Sequence, residues 1–201
     1  MIHFLILKIR DSLYRHGFRK VVKAEVPTIC VGNIAVGGTG KTPHTEMILR
    51  ELLESDKWGQ SNIAVLSRGY KRGSRGFQQV CRDDAAAFSG DEPLQIKRKF
   101  PAVTVAVDKD RVEGCRFLVH PDELLTDRKA RGCRHKELPP ADLIILDDAF
   151  QYRKLQADLD IVLVDYNHPV SRDCLMPLGH LRDLKSRLRD AVHPQDAGPG
   201  A

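Results

Sequence analysis

Residues 35–42 read AVGGTGKT, a combination of glycines, lysine and threonine that is suited to binding phosphate groups. The order matches the pattern of glycine, four residues, glycine, lysine and serine or threonine, except that Ala35 replaces the first glycine. In this pattern backbone N–H groups converge on phosphate oxygens, Lys41 reaches the β- and γ-phosphates, and Thr42 offers a hydroxyl to Mg²⁺. We therefore predict a nucleotide-binding loop, with a chance glycine-rich turn as the alternative. The predicted loop residues are Ala35, Val36, Gly37, Gly38, Thr39, Gly40, Lys41 and Thr42.

Two pairs of neighbouring carboxylates are candidates for metal binding and proton transfer. Asp147 and Asp148 follow the apolar run at 143–146, and the end of a buried strand is where phosphate-bound Mg²⁺ finds its acidic partner in P-loop proteins. Asp91 and Glu92 form the second pair. The alternatives are that the first pair ends a strand without binding anything, and that the second pair is an ordinary helix N-terminus.

The segments around these residues predict the fold. A β-type run at 26–31 comes before the glycine-rich loop, and a helical pattern at 43–53 follows it, which is the context that such a loop requires. Short runs rich in β-branched residues then alternate with helix-compatible segments such as 108–119, whereas 68–76 and 120–140 are predicted loops. This alternation predicts an α/β, P-loop NTPase-like fold in which a mostly parallel sheet has helices on both faces. The further predicted strands are 63–66, 103–107, 143–146 and 161–164.

The first 24 residues predict an amphipathic helix that precedes this fold. At 100° per residue, Lys8, Asp11 and Arg15 fall opposite an apolar face. Residues 1–23 carry six lysines and arginines against one aspartate, so their excess equals the formal net charge of the whole chain, +5. Such a helix can lie on an anionic membrane surface, or alternatively dock on its own domain. The apolar face consists of Ile2, Leu5, Ile6, Ile9 and Leu13.

The composition predicts one α/β domain and excludes several classes. With 201 residues and 42% hydrophobic content, we expect a domain at 25–191 and an irregular or disordered tail at 192–201. The five cysteines are scattered without a CxxC pair, which argues against a disulfide framework or zinc site and favours a reducing compartment. The apolar N-terminal run is shorter than the roughly 20 residues that span a bilayer. We predict neither a nucleic-acid partner nor a protein partner.

Five motifs in a fixed order resemble those of the tetraacyldisaccharide 4′-kinase family. The resemblance implies transfer of the γ-phosphate of ATP to the 4′-hydroxyl of a tetraacyldisaccharide 1-phosphate lipid in lipid A biosynthesis, with ATP and Mg²⁺ as cofactors. It also implies a peripheral location at the cytoplasmic face of the bacterial inner membrane, reached through the N-terminal helix. The motifs are VGNIAVGGTGKTP at 31–43, SRGYKR at 67–72, GDEP at 90–93, DDAFQY at 147–152 and MPLGHLRDLKSRLRDA at 176–191.

The resemblance also implies roles for individual residues. Lys41 is implied to bind the triphosphate of ATP and to take part in catalysis. Asp91 matches a carboxylate that activates the sugar hydroxyl. For the arginines named as substrate candidates, solvated surface positions are the alternative. The implied metal-binding residues are Thr42, Glu92, Asp147 and Asp148. The candidates for contact with the lipid substrate are Arg68, Arg72, Arg111 and Gln151.

The sequence departs from the family pattern at two points. The family motif DDGFQH here has Ala149 in place of glycine and Tyr152 in place of histidine, and a tyrosine cannot take up and release a proton near neutral pH as an imidazole can. Family members continue into a second, smaller lobe, which the residues after Ala191 do not resemble, as expected of a truncated or frameshifted reading frame. The alternative function is therefore a catalytically deficient, membrane-associated ATP-binding fragment. A membrane-associated ATPase switch is disfavoured, because such proteins need a lysine where this chain has Val36.

Overall fold

The computed structural model describes residues 2–36, 40–166 and 168–192. Within them, a sheet of six strands forms the centre of the molecule, and a separate pair of two-residue strands, β1 (Val22–Lys23) and β7 (Leu155–Gln156), is parallel. In the large sheet one edge strand is antiparallel to its neighbour and the other pairings are parallel. The spatial order is β4 (Gln78–Gln79, antiparallel), β5 (Thr104–Val107), β3 (Ile63–Ser67), β6 (Leu143–Asp147), β2 (Thr28–Asn33) and β8 (Leu159–Leu163).

Helices cover both faces of this sheet, which confirms the predicted α/β fold. One face packs against α2 and α4 through Leu49, Leu94 and Ile96, and the other packs against α5 and α6 through residues such as Phe117 and Leu124. Among the described residues the helices are α1 (Ile2–Arg15), α2 (Lys41–Glu54), α3 (Ala86–Ser89), α4 (Asp91–Lys99), α5 (Arg111–Val119), α6 (Glu123–Thr126) and α7 (Leu188–Val192).

The strand residues alternate between these two packed faces. Val65 and Ile145 pack toward α2 and α4, whereas their neighbours Leu66 and Ile144 pack toward α5. Because helices cover both faces, β3, β5 and β6 are buried along their whole length. This explains why the sequence shows continuous apolar runs there instead of alternation with polar residues.

The observed boundaries differ from the predicted ones mainly at element ends. The strand predicted at 26–31 begins at Thr28, and α2 begins at Lys41, two residues before the predicted start. The segment predicted as a loop at 120–140 contains α6 and the 3₁₀ turn Arg128–Ala130, so that prediction was wrong over these residues. Their local pattern is too short for helical periodicity to be visible. Of the predicted tail, residues 193–201 lie outside the described residues.

The N-terminal helix α1 docks on the domain by the face that carries Leu7 and Asp11, both of which are buried. Asp11 is buried and ion-paired with Arg153, and Arg10 donates to Asp183 at 3.2 Å. The apolar side points outward, since the side chains on it remain between 44% and 58% exposed. No helix within the described ranges is long and apolar enough to cross a membrane. The helix ends at Arg15, well inside the predicted 1–24 segment. The outward apolar residues are Phe4, Leu5, Ile6 and Ile9.

Candidate active site

The glycine-rich segment connects β2 to α2, as predicted. Gly40 precedes α2 with φ 76°, a left-handed conformation that glycine adopts without strain, and its carbonyl accepts the N–H of His44 at 3.1 Å. Before it, Val36 donates its N–H to His180 at 2.7 Å. Gly37, Gly38 and Thr39 lie outside the described residues. The last two residues of the predicted phosphate loop, Lys41 and Thr42, therefore begin α2, where helix N–H groups attract anions.

Lys41 lies next to the acidic motif that follows β6. Its ammonium is 3.8 Å from Oδ1 of Asp148, although more than one hundred residues separate the two in the chain. Parallel β2 and β6 are adjacent, with Val31 paired to Asp147, so the segments after both strands leave the sheet at the same edge. Asp148 has φ 48°, an unusual value for a residue other than glycine, and its N–H donates to Val31 at 2.9 Å. The sheet therefore joins the predicted phosphate lysine and the predicted metal carboxylates.

Asp147 is a buried carboxylate with features of a cation ligand. Burial raises its pKa to about 6, with Glu92 and Asp148 adding to the shift, while a hydrogen bond from Ser67 and the charge of Lys41 oppose it. Its Oδ2 atom is buried and has no hydrogen-bond partner within the described parts of the chain. A buried oxygen in this state carries a desolvation cost that a divalent cation would remove. The site therefore fits Mg²⁺, which prefers carboxylate and hydroxyl oxygens.

The second carboxylate pair begins α4, beside the loop that follows β3. The negative charge of Glu92 adds to the rise in the pKa of Asp147, although the described residues contain no group of three or more His, Cys, Asp or Glu side chains that could hold a metal ion. Asp91 is exposed and lines a cavity of about 430 Å³ on α4, together with Gln95 and Arg98. The helix follows Gly90, at φ 96°, and a Cβ added there would meet the backbone of the neighbouring loop at 3.4 Å. The first residue of α4 therefore lies close to the loop that follows β3, because the backbones of Gly90 and Gly69 are in contact.

Arg182 completes the site and was missed by the sequence analysis. It donates to both carboxylate oxygens of Asp148, at 3.0 and 3.4 Å, and also to the side chain of Asn33 at the end of β2. Its backbone N–H donates to Ile34 at 2.6 Å, so the segment 180–182 pairs with the start of the phosphate loop. The only signal in the sequence is its position within the motif at 176–191.

Comparisons with known proteins decide the family. The profile described as tetraacyldisaccharide-1-P 4′-kinase matches residues 1–193. The chain belongs to this family. A tetraacyldisaccharide 4′-kinase of Porphyromonas gingivalis is 45% identical over 185 residues, which is 92% of this chain and 46% of that protein. One from Phocaeicola vulgatus is 43% identical over 175 residues, which is 87% of this chain and 43% of that protein.

A solved structure of the family supports the observed fold. The LpxK protein of Aquifex aeolicus, crystallised in complex with ATP, is 33% identical and superposes with a TM-score of 0.75. The match covers 97% of this chain and 58% of that chain. The chain thus spans about half the length of the curated relatives that it matches. The family resemblance inferred from the ordered motifs is confirmed.

The residues suggested by the kinase family for substrate contact have different environments. Arg68 is exposed, whereas Arg72 is partly buried and donates within its own loop to Ser74 and Gly76. Gln151 donates to the carbonyl of Asn33, inside the strand end. The structure therefore leaves Arg68 accessible and gives Arg72 and Gln151 contacts that support the loops around the site.

Arg111 and Tyr152 form the wall of the site on the side of α5. Arg111 is buried, and its guanidinium donates to the carbonyl of Asp108 at 2.8 Å and lies within electrostatic range of the acidic motif. Tyr152, which replaces the histidine of the kinase family, donates to Asp110 at 2.6 Å. Burial and this hydrogen bond to a carboxylate raise the pKa of Tyr152 well above its usual value. The hydroxyl therefore remains protonated and joins the motif at 147–152 to the start of α5.

Proposed function

We propose that this chain binds ATP at residues 35–42 and transfers its γ-phosphate to the 4′-hydroxyl of a tetraacyldisaccharide 1-phosphate lipid, in lipid A biosynthesis. The observation that carries the proposal is the meeting of Lys41, Asp147 and Asp148 at the end of β6, beside the N-terminus of α2. Membership in the kinase family supports the reaction. The relative from Aquifex aeolicus was crystallised with ATP, which supports ATP as the donor.

On the donor side, the chain supplies positive charge and a helix N-terminus. Phosphoryl transfer needs mainly positioning and neutralisation of charge on the phosphate oxygens. Lys41 is only 15% exposed, so its ammonium lies in a partly desolvated position where its attraction for phosphate is stronger than in water. The N-terminus of α2 adds N–H groups directed at the same region.

Thr42, Glu92, Asp147 and Asp148 are the residues that would hold Mg²⁺. When bound, the ion withdraws negative charge from the phosphate oxygens. The unpartnered buried oxygen of Asp147 supports this assignment, as does the charge of Glu92, which adds to the rise in the pKa of Asp147, because a bound cation favours the ionised form of a carboxylate. Below about pH 6, protons would compete with the metal for Asp147.

On the acceptor side, Asp91 is the proposed residue that orients the 4′-hydroxyl and accepts its proton. It is exposed at the first residue of α4, one position from Glu92, so an incoming sugar could reach it. Arg68 is accessible from the neighbouring loop and is proposed to contact the substrate. Arg111 contributes buried positive charge near the acidic motif, and Arg72 and Gln151 act through the loops that they stabilise.

We further propose that α1 places the domain, residues 25–191, at the cytoplasmic face of the inner membrane as a peripheral protein. The outward apolar side of α1 supports this, because an apolar surface left uncovered on a helix with basic residues is typical of interfacial binding. Lys8 lies over the ring of Phe4 at 4.7 Å, next to that apolar side. A protein held at the membrane surface in this way could reach the 4′-hydroxyl of a lipid whose acyl chains remain in the bilayer.

The experiment that tests the reaction is product identification. The chain is incubated with Mg-ATP and detergent-dispersed tetraacyldisaccharide 1-phosphate, and the lipid product is analysed by ³¹P and ¹H NMR. We expect a second phosphomonoester, coupled to the proton at the 4′ carbon. A phosphate at another hydroxyl would refute the proposed acceptor atom, and absence of any new lipid phosphate while ATP still binds would refute transfer by this chain.

A further inference from the structure

A groove of about 670 Å³ lies outside the predicted site residues, between the C-terminal end of α1 and the exposed side of α5. Its volume is in the range of sites that hold small molecules or sugar groups. Its walls come from four separate parts of the chain, so it is formed only in the folded domain. The lining residues that matter most here are Phe18, Arg19, Lys20, Asp110, Lys129 and Lys154.

The acidic residues of the groove each have an ion-pair or hydrogen-bond partner, whereas two of its lysines are in no ion pair among the described residues. Asp127 pairs with Arg116 and Glu113 pairs with Lys129, and Asp110 accepts the hydroxyl of Tyr152. Within the described ranges, the ammonium groups of Lys20 and Lys154 enter no ion pair, and both side chains are exposed. The groove therefore has positive charge left over, which is complementary to an anionic ligand.

The same groove has an apolar and aromatic side. Phe18 is 79% exposed, and the guanidinium groups of Arg19 and Arg153 lie 5.9 and 5.3 Å from the centre of the Tyr14 ring. These residues continue from α1, whose outward side is apolar. A ligand that combines an anionic group with an amphipathic body fits these walls better than a free phosphate ion does.

Asp110 connects the groove to the proposed active site. Asp110 lines the groove, caps the start of α5 by accepting the N–H groups of Val112 and Glu113, and accepts the hydroxyl of Tyr152 from the motif at 147–152. Burial raises the pKa of Asp110, but the hydrogen bond from Tyr152, the helix N–H groups and the charge of Lys154 together lower it below its usual value. The anion-facing groove and the acidic motif thus share one wall.

We propose that this groove binds the phosphate-bearing sugar of the lipid acceptor, with Lys20 and Lys154 on its phosphomonoester. This inference rests on the proposed function, because the acceptor is taken to carry one phosphate and one reacting hydroxyl at its two ends. Charge in the groove then selects the end that is already phosphorylated and leaves the other sugar to the site at Asp91 and Asp147. Two charge-assisted contacts of this kind typically change affinity by about tenfold or more.

The test is equilibrium binding without ATP, so that no transfer is required. The full chain is titrated with the disaccharide 1-phosphate lipid, with the same lipid lacking its phosphate, and with phosphatidylglycerol, each in neutral detergent micelles. We expect the parent chain to prefer the phosphorylated disaccharide by about tenfold, and Lys20→Ala with Lys154→Ala to abolish that preference. Arginine at both positions should restore it, because the charges return.

The matched control removes two exposed cations on the opposite face of the sheet, Arg50→Ala with Lys57→Ala, and should keep the preference. ATP affinity should be equal in all variants. Retention of the preference after loss of Lys20 and Lys154 would overturn the proposal, as would equal competition by phosphatidylglycerol, which would indicate general attraction to anionic lipid. If the parent chain transfers phosphate but shows no preference for the phosphorylated disaccharide, the proposed role of the groove is refuted, whereas the proposed reaction is not.

Discussion

The guanidinium of Arg182 donates to both carboxylate oxygens of Asp148, with nitrogen–oxygen distances of 3.0 and 3.4 Å. The ammonium of Lys41 lies 3.8 Å from the same carboxylate. One predicted metal ligand thus has two cations beside it, and one of these is the lysine predicted to bind phosphate. If Lys41 turns to the phosphates of ATP, Arg182 remains as the group that fixes the orientation of Asp148.

We predict that Arg182→Lys lowers kcat of the proposed transfer by about tenfold or more, with a smaller effect on ATP affinity. Lysine retains the charge but loses the two-pronged contact, so Asp148 is held less firmly. Steady-state kinetics on the lipid acceptor would measure this. The control is Arg189→Lys, an exposed arginine on α7, which should behave as the parent. Equal kcat for the two variants would contradict the role of Arg182.

Asp108 predicts a pH dependence of stability. Burial raises its pKa from 3.8 to about 6, and nearby Glu113 adds to the shift although Arg72 opposes it. Because the folded pKa exceeds the unfolded one, this group contributes stability that is fully present below about pH 4 and lost as pH rises through 6. Asp108→Asn should therefore stabilise the fold at neutral pH by about 2 to 3 kcal/mol.

The free energy of unfolding in urea, measured for the parent and Asp108→Asn between about pH 4 and 7, checks this expectation. The difference between them should grow with pH across this range. The exposed Asp56→Asn serves as the control and should track the parent. A constant difference at every pH would show that Asp108 does not titrate in the folded state as described.

Much of the fold could be predicted from the sequence, because strand and helix signals are local. The runs at 63–66 and 143–146 lie within the observed strands, and the strand, loop and helix around Lys41 were expected. The contacts of Arg182 could not be predicted, since it reaches Asn33 across 149 positions of sequence. No local pattern records such a pairing, which depends on how the segment after β8 returns over the sheet.

The contacts that the candidate site residues make also could not be predicted from local sequence patterns. Arg72 is a candidate for substrate contact, and the sequence does not reveal that its guanidinium donates to a serine hydroxyl and a carbonyl of its own loop. The orientation of α1 is a similar case, because periodicity gives two faces without saying which one meets the domain. The docked face carries buried Leu7 and the ion pair between Asp11 and Arg153, whose partners are 142 positions apart.

Gly32 is predicted to be required for the acidic motif after β6. A Cβ added at this position would meet Cβ of Phe150 at 2.6 Å, within the motif at 147–152. Gly32→Ala should therefore displace Phe150 and destabilise the fold by about 1 to 3 kcal/mol, with lower transfer. Chemical denaturation measures the first effect. Gly132→Ala is the matched control, since its Cβ would meet nothing within 4 Å; equal stability of both variants would contradict the packing described.

The outward apolar side of α1 predicts membrane binding that depends on its side chains. Ile6→Ser with Ile9→Ser should weaken sedimentation with anionic vesicles by about tenfold or more, because each buried aliphatic side chain contributes about 1.5 to 3 kcal/mol. Both residues are more than half exposed, so the fold should be unaffected. Leu125→Ser, on α6 and 70% exposed, is the control. Unchanged vesicle binding by the α1 variant would refute the proposed membrane contact.

The most direct test of the proposed kinase is the rate of label transfer from [γ-³²P]ATP to tetraacyldisaccharide 1-phosphate, compared between the chain and its Lys41→Ala variant. We predict labelled lipid from the parent and a rate reduced by about a hundredfold or more in the variant, since a cation at the phosphates is removed. Lys57→Ala, an exposed lysine beyond α2, should leave the rate unchanged. No labelled lipid from the parent, or equal rates for the parent and Lys41→Ala, would contradict the account.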